Sequence, residues 1–203
     1  MNLVHSTKCR EPILIGCGIF NKEINWLIKK NKWLIRTSFL DSNLHTNYVM
    51  LEKSLCCELE KYSCTRKFVF YGECHPNMDN ILSRFNTFRT EGQNCAEILL
   101  GNYLYNKELS LGAFFLFEDF ALNWKSTFEK LFGSDREIVK QIFHEDRKYI
   151  LAVRTRCTDD YSDESEKIAE YLELPLKILD VNLDNLESRL ITALNQMNGN
   201  SDE

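Results

Sequence analysis

Phe68-Val69-Phe70-Tyr71-Gly72-Glu73-Cys74-His75-Pro76 places a carboxylate, a thiol and an imidazole directly behind a run of β-formers that closes on a glycine. Side chains of these types bind metals or move protons. Others recur in the chain at comparable points. Cys17 ends the apolar run Ile13-Leu14-Ile15-Gly16, His45 follows Trp33–Leu40 after one short turn, Cys95 opens Cys95-Ala96-Glu97-Ile98-Leu99-Leu100-Gly101, and Cys157 follows Tyr149–Arg154. Three thiolates with one imidazole make a zinc site or hold an iron–sulfur cluster, and soft sulfur donors disfavour magnesium and calcium. The candidate ligands are therefore Cys17, Cys74 and Cys95, with His45 or His75 in the fourth position. Glu73 and Glu97 are candidates to accept hydrogen bonds from such ligands or to act as general acid or base. Cys95, at the first position of a helix, meets the positive end of the macrodipole and free N–H groups, which predicts a thiolate.

The elements that must position these groups follow from periodicity. Buried strands are expected near residues 12–19, 33–40, 67–72, 85–89, 149–154 and 176–181. Helices are expected between them, including a long one from Thr46 or Asn47 to Tyr62 with Val49, Leu51, Leu55 and Leu59 as its apolar stripe. Strands alternating with helices predict an α/β fold, a mainly parallel sheet with helices on both faces in the Rossmann-like manner. One domain over 1–203 is expected, with a lead-in at 1–11, a helical excursion at about 102–145 and a disordered tail at 198–203. Ligands of open parallel sheets bind outside the carboxyl ends of the strands. Parallel order would bring Cys17, His45, Cys74, Cys95 and Cys157 to one edge, and this convergence carries the expectation of a site.

Blander roles stand beside it. Cysteine is among the most buried residue types and often only fills space. Cys56 and Cys57, inside a helix, read as core, and Cys9 and Cys64 as incidental. His5 and His144 read as surface residues, and His75 can equally serve a backbone group. No CxxC pair occurs among the eight cysteines, so any metal site must be assembled from distant segments. Gly16-Cys17-Gly18 lacks the third glycine of the dinucleotide fingerprint. Two other functions compete with a metal site: a non-metal cofactor beside a reactive Cys95, and an accessory protein docking through the aromatic stretch 113–124.

Composition narrows the classes. The 203 residues are 44% hydrophobic and 27% charged, as in ordinary globular proteins. A net charge of -5 argues against a nucleic-acid partner. No signal-peptide pattern opens the chain, and no apolar run approaches the roughly 20 residues that span a bilayer. A cytoplasmic protein is expected, whose cysteines are reduced rather than paired.

Taken together, Gly16-Cys17-Gly18-Ile19, Leu44-His45, Tyr71-Gly72-Glu73-Cys74, Arg89 and Asn94-Cys95-Ala96-Glu97-Ile98-Leu99-Leu100-Gly101 resemble the domain-of-unknown-function family 1638, over most of residues 13–180. The family pattern maps onto Cys17, His45, Cys74 and Cys95. His75 departs from it, standing in place of a glycine, and Asn94 stands in place of an aspartate. The resemblance implies a cytosolic protein of anaerobic archaea and bacteria. It also implies corrinoid or methyltransferase proteins as partners, and no established reaction.

Overall fold

The computed structural model describes residues 11–199. The lead-in at 1–10, with His5 and Cys9, and the tail at 200–203 lie outside the described residues. Asn198 and Gly199, read as part of that tail, are instead the last residues of the C-terminal helix.

Two three-stranded parallel sheets form the frame. In the first, β1 (Ile13–Cys17) lies between β2 (Arg36–Leu40) and β3 (Lys67–Phe70). Helix α1 (Asn21–Asn31) makes the crossover to β2, and α2 (Tyr48–Lys61) the crossover to β3. Helix α3 (Met78–Ser83) follows β3, and α4 (Cys95–Leu100) and α5 (Asn102–Ser110) lead to the second sheet. There β5 (Tyr149–Arg154) lies between β4 (Ala113–Leu116) and β6 (Leu176–Asp180). Helices α6 (Glu118–Phe132) and α7 (Arg136–Asp146) join β4 to β5, α8 (Ser162–Leu172) joins β5 to β6, and α9 (Asp184–Gly199) closes the chain.

The α/β class with parallel sheets and covering helices is as the alternation requires. Four local readings change. The excursion at 102–145 contains a strand, β4, which pairs with β5 from Ala113↔Tyr149 to Leu116↔Ala152. The stretch 85–89 is no strand: Asn86 turns into the left-handed region at φ 47, and only Arg89 pairs with Val69. Val49 is exposed, so the buried stripe of α2 is Leu51, Leu55 and Leu59. Cys57 is exposed and Cys56 only half-buried, so neither is the core residue expected.

Strand periodicity explains the layers. Side chains alternate across a sheet, so Leu14, Phe68 and Phe70 face one way and Ile13, Ile15, Val69 and Tyr71 the other. The first set joins Tyr149, Leu151 and Val153 of β5 and Leu186 and Leu190 of α9 in one apolar cluster fed by both sheets. The second set packs under α2 and α3. Ile150 and Ala152 turn to a separate cluster with Trp124, Phe128, Phe143 and Ile168. At about 1.5–3 kcal/mol per fully buried large apolar side chain, these clusters supply most of what holds the sheets together.

Candidate thiol site

Cys17 is the last residue of β1 and is buried. A short turn of 3-10 helix, Gly18–Phe20, carries the chain away from it. Cys74 sits in the loop after β3. Its approach to α4 depends on Gly72, where a Cβ would come within 2.5 Å of the Gln93 carbonyl oxygen and 2.6 Å of the Asn94 Cα. The adjoining N–H of Glu73 donates to that Gln93 carbonyl at 2.7 Å. Two stretches of backbone thus pack against each other at the one residue type that permits it.

Cys95 is the first residue of α4, and its position is fixed by the cap. Asn94 Oδ1 accepts the Glu97 N–H at 3.0 Å, while Glu97 Oε2 accepts the Gln93 N–H at 2.7 Å. Asn94 also donates from its amide to the Tyr105 hydroxyl at 2.7 Å. The sum is a thiol held against two others: Cys95 hydrogen-bonds with both Cys17 and Cys74. His45 stands in the 3-10 turn Ser42–Thr46 and lines the same cavity. Its Nδ1 lies against the Ser42 carbonyl, which can only accept, so Nδ1 carries a proton and the lone pair of the neutral ring falls on Nε2.

The electrostatics divide the thiols. Cys74 is held below the ordinary thiol range, chiefly by the hydrogen bond from Cys95 and further by the Gly72 N–H and the Arg89 guanidinium. Cys95 is pushed well above it by its bonds to Cys17 and Cys74 and by burial. This corrects the expectation of a Cys95 thiolate. The six-residue α4 has a small dipole that Glu97 already offsets, and Cys95 keeps its proton in the hydrogen bond with Cys74. Of the pair, Cys74 is the thiol whose ionisation the site favours. Tyr71 is buried beside them with its hydroxyl unpartnered, and burial together with the three cysteines pushes its pKa up.

The cavity that these groups face has a volume of about 370 Å³. One wall carries Cys17, His45, Tyr71, Cys74 and Cys95; the other carries Phe114, Phe115, Phe117 and Phe120 with Leu109, and Arg147 also lines it. The first sheet and α4 supply the polar wall, and β4 with the start of α6 supplies the apolar one. The aromatic stretch is therefore core and cavity wall. Phe117 and Trp124 are buried, and Phe114, Phe115 and Phe120 half-buried, which removes the basis for a docking surface there.

Other expected members lie elsewhere. His75 is buried, accepts the Asn77 N–H at Nδ1 (3.0 Å), and turns its Nε2 to within 3.9 Å of Glu52 and its ring edge to Tyr48. Glu73 pairs with Arg89 at 3.2 Å, and Glu97 is used by the cap, so neither lines the cavity. Cys157 follows β5, in the other sheet, and its N–H bonds to Thr155. Convergence on a single edge thus fails for Cys157, because the strands form two sheets. Tyr71 and Arg147 were missing from the expected set. A tyrosine in an apolar strand reads as core, and an arginine after a charged helix reads as surface. Among the described residues no group of three or more His, Cys, Asp or Glu side chains stands arranged to hold a metal ion.

A smaller cavity of about 150 Å³ opens beside the ends of β1, β4 and β5, lined by Lys22, Glu23, Glu118 and Thr155 among others. Its charges are paired internally: Lys22 bridges Glu118 and Asp159, and Glu23 accepts the Thr155 hydroxyl at 2.7 Å.

The sequence model of a family described as "Protein of unknown function (DUF1638)" matches residues 39–190. The chain belongs to that family. The DUF1638 match covers His45, Cys74, Cys95 and the whole aromatic wall, while Cys17 precedes it. No curated protein and no solved structure gives a significant match. Among the described residues of this DUF1638 chain, no helix is long and apolar enough to cross a membrane.

Proposed function

We propose that this chain binds a soft metal centre, zinc or an iron–sulfur cluster, through Cys17, Cys74 and Cys95, with His45 as the fourth donor. One observation carries the reading: cysteines from three separate segments meet at one cavity wall, with Cys95 bonded to the other two. Two more support it. His45 has the tautomer that a metal-bound histidine adopts, its second nitrogen bonded to a carbonyl. Tyr71 keeps a buried hydroxyl without a partner beside the thiols. In the proposal the thiols exchange their mutual hydrogen bonds for the metal, and His75 has no part. A bound zinc would supply activation of a substrate thiol for methyl transfer, and a cluster would supply one-electron redox chemistry. The reading includes a cytoplasmic location in an anaerobe, where such thiols stay free, and corrinoid or methyltransferase proteins as partners.

Metal analysis and an absorption spectrum of protein purified without oxygen test this. About one zinc or one cluster per chain is expected, lost in a Cys74→Ser, Cys95→Ser double variant. Metal content unchanged in that variant would refute the siting. A second reading is favoured by the lowered pKa of Cys74: a reactive thiolate with Cys95 as its hydrogen-bond donor and no metal. Stoichiometric alkylation of Cys74 in metal-free protein as isolated would favour it.

A further inference from the structure

We infer that the cavity is a binding site for a small organic carboxylate with an apolar body, seated between the aromatic wall and the thiols, with Arg147 holding the carboxylate. The volume, about 370 Å³, falls within the roughly 300–1,000 Å³ of small-molecule sites. The lining has the matching division: a largely apolar wall with few polar groups.

Those polar groups decide the ligand class. Asn94 is spent on Glu97 and Tyr105. Arg147 is half-buried on the lining, just ahead of β5, and its side chain has no hydrogen bond or ion pair with another described residue. By contrast, Arg84 pairs with Glu52, Arg89 with Asp79, Arg154 with Asp180 and Arg189 with Glu91, and the exposed Arg156 lies over the Trp26 ring. An unpaired guanidinium beside an apolar space fits a planar carboxylate, which it can grip through two parallel N–H bonds. A phosphate dianion would call for more donors than this one arginine supplies, since the Nδ1 of His45 is taken by the Ser42 carbonyl. Tyr71, 1% exposed and also on the lining, carries a hydroxyl with no partner. A buried donor left unpaired is costly, and a small side-chain shift that opened it to the cavity would let a polar atom of the ligand satisfy it. The apolar body between lies against Phe114, Phe115 and Phe117, which offer ring faces and edges.

This inference shares its cavity with the proposed metal centre but rests on Arg147, Tyr71 and the rings, which are outside the ligand set. The test therefore uses both as-isolated and chelator-stripped protein, with metal measured alongside. Octanoate and phenylacetate are titrated by calorimetry against octanamide, phenylacetamide and octyl phosphate. Saturable binding of a carboxylate is expected, with its amide weaker by about tenfold or more. In Arg147→Gln the carboxylate should weaken by a similar factor while the amide is unaffected, and in Tyr71→Phe the protein should still bind with lower affinity. No saturable carboxylate binding, an amide as tight as its acid, octyl phosphate tighter than octanoate, or an unchanged affinity in Arg147→Gln would each overturn the inference. Arg147-dependent binding by stripped protein would uphold it even where as-isolated protein proves metal-free, a result that counts against the metal centre alone.

Discussion

Cys74 and Cys95 are coupled: the hydrogen bond between them lowers the Cys74 pKa, while that bond, the bond to Cys17 and burial raise the Cys95 pKa. In metal-free protein this predicts that iodoacetamide modifies Cys74 ahead of Cys95. Cys95→Ala removes the donor, so the Cys74 pKa should rise and the pH midpoint of its alkylation should move upward. Mass-spectrometric rates across pH measure this, and a midpoint that stays or falls would contradict the assigned bond. Glu23 allows a second prediction at this scale. Burial raises its carboxyl pKa, partly offset by the Thr155 hydroxyl. An acid whose folded pKa exceeds its unfolded one contributes fully while protonated, below the unfolded value of 4.5, and loses that contribution as pH rises through the folded value. Glu23→Gln should therefore melt above the wild type at pH 7, by about 2–4 °C, with the gap closing as the pH falls below about 4. A gap that widens in acid would show the sign to be wrong.

Elements bring the thiols together, and Gly72 is where that geometry is most exposed to test. A methyl group there meets the backbone of Gln93 and Asn94 rather than a side chain that could move aside. Gly72→Ala should cost about 1–3 kcal/mol, the usual range for overpacking, and should drive Cys74 away from Cys95. Denaturant melts measure the first effect. The second appears as loss of the low-pH alkylation of Cys74, and full retention of both would mean that the loop is more pliant than its packing implies. The same scale explains what the chain could declare in advance. Ile13-Leu14-Ile15 and Lys67–Phe70 read as strands because every position is buried, and the glycines and cysteines at their ends marked the site. Ala113-Phe114-Phe115-Leu116 did not read as a strand. Four residues running directly into a helix carry no period of their own, and pairing with β5 decides their state. Residues 85–89 had the opposite defect, a strand-like alternation undone by the turn at Asn86.

At the scale of the whole molecule, the cavity draws its lining from the ends of both sheets and the helices beside them. The first sheet with α4 gives the thiols and His45, β4 with the start of α6 the rings, and Arg147 stands ahead of the second sheet's central strand. Individual cysteines at strand ends were legible in the sequence, while the choice of His45 over His75 was not. That choice rests on the 3-10 turn that puts His45 on the cavity and on the loop that ties His75 to Asn77. Tyr71 and Arg147 could not be singled out before the fold, since what distinguishes them is a missing partner. The central claim is that Cys17, Cys74 and Cys95 act as one metal site, and metal content of anoxically purified protein tests it most directly. We expect about one zinc or one cluster per chain in the wild type and in His75→Ala, and loss in each of the Cys17→Ser, Cys74→Ser and Cys95→Ser variants. A wild type free of metal, or serine variants that keep their metal, would contradict the account.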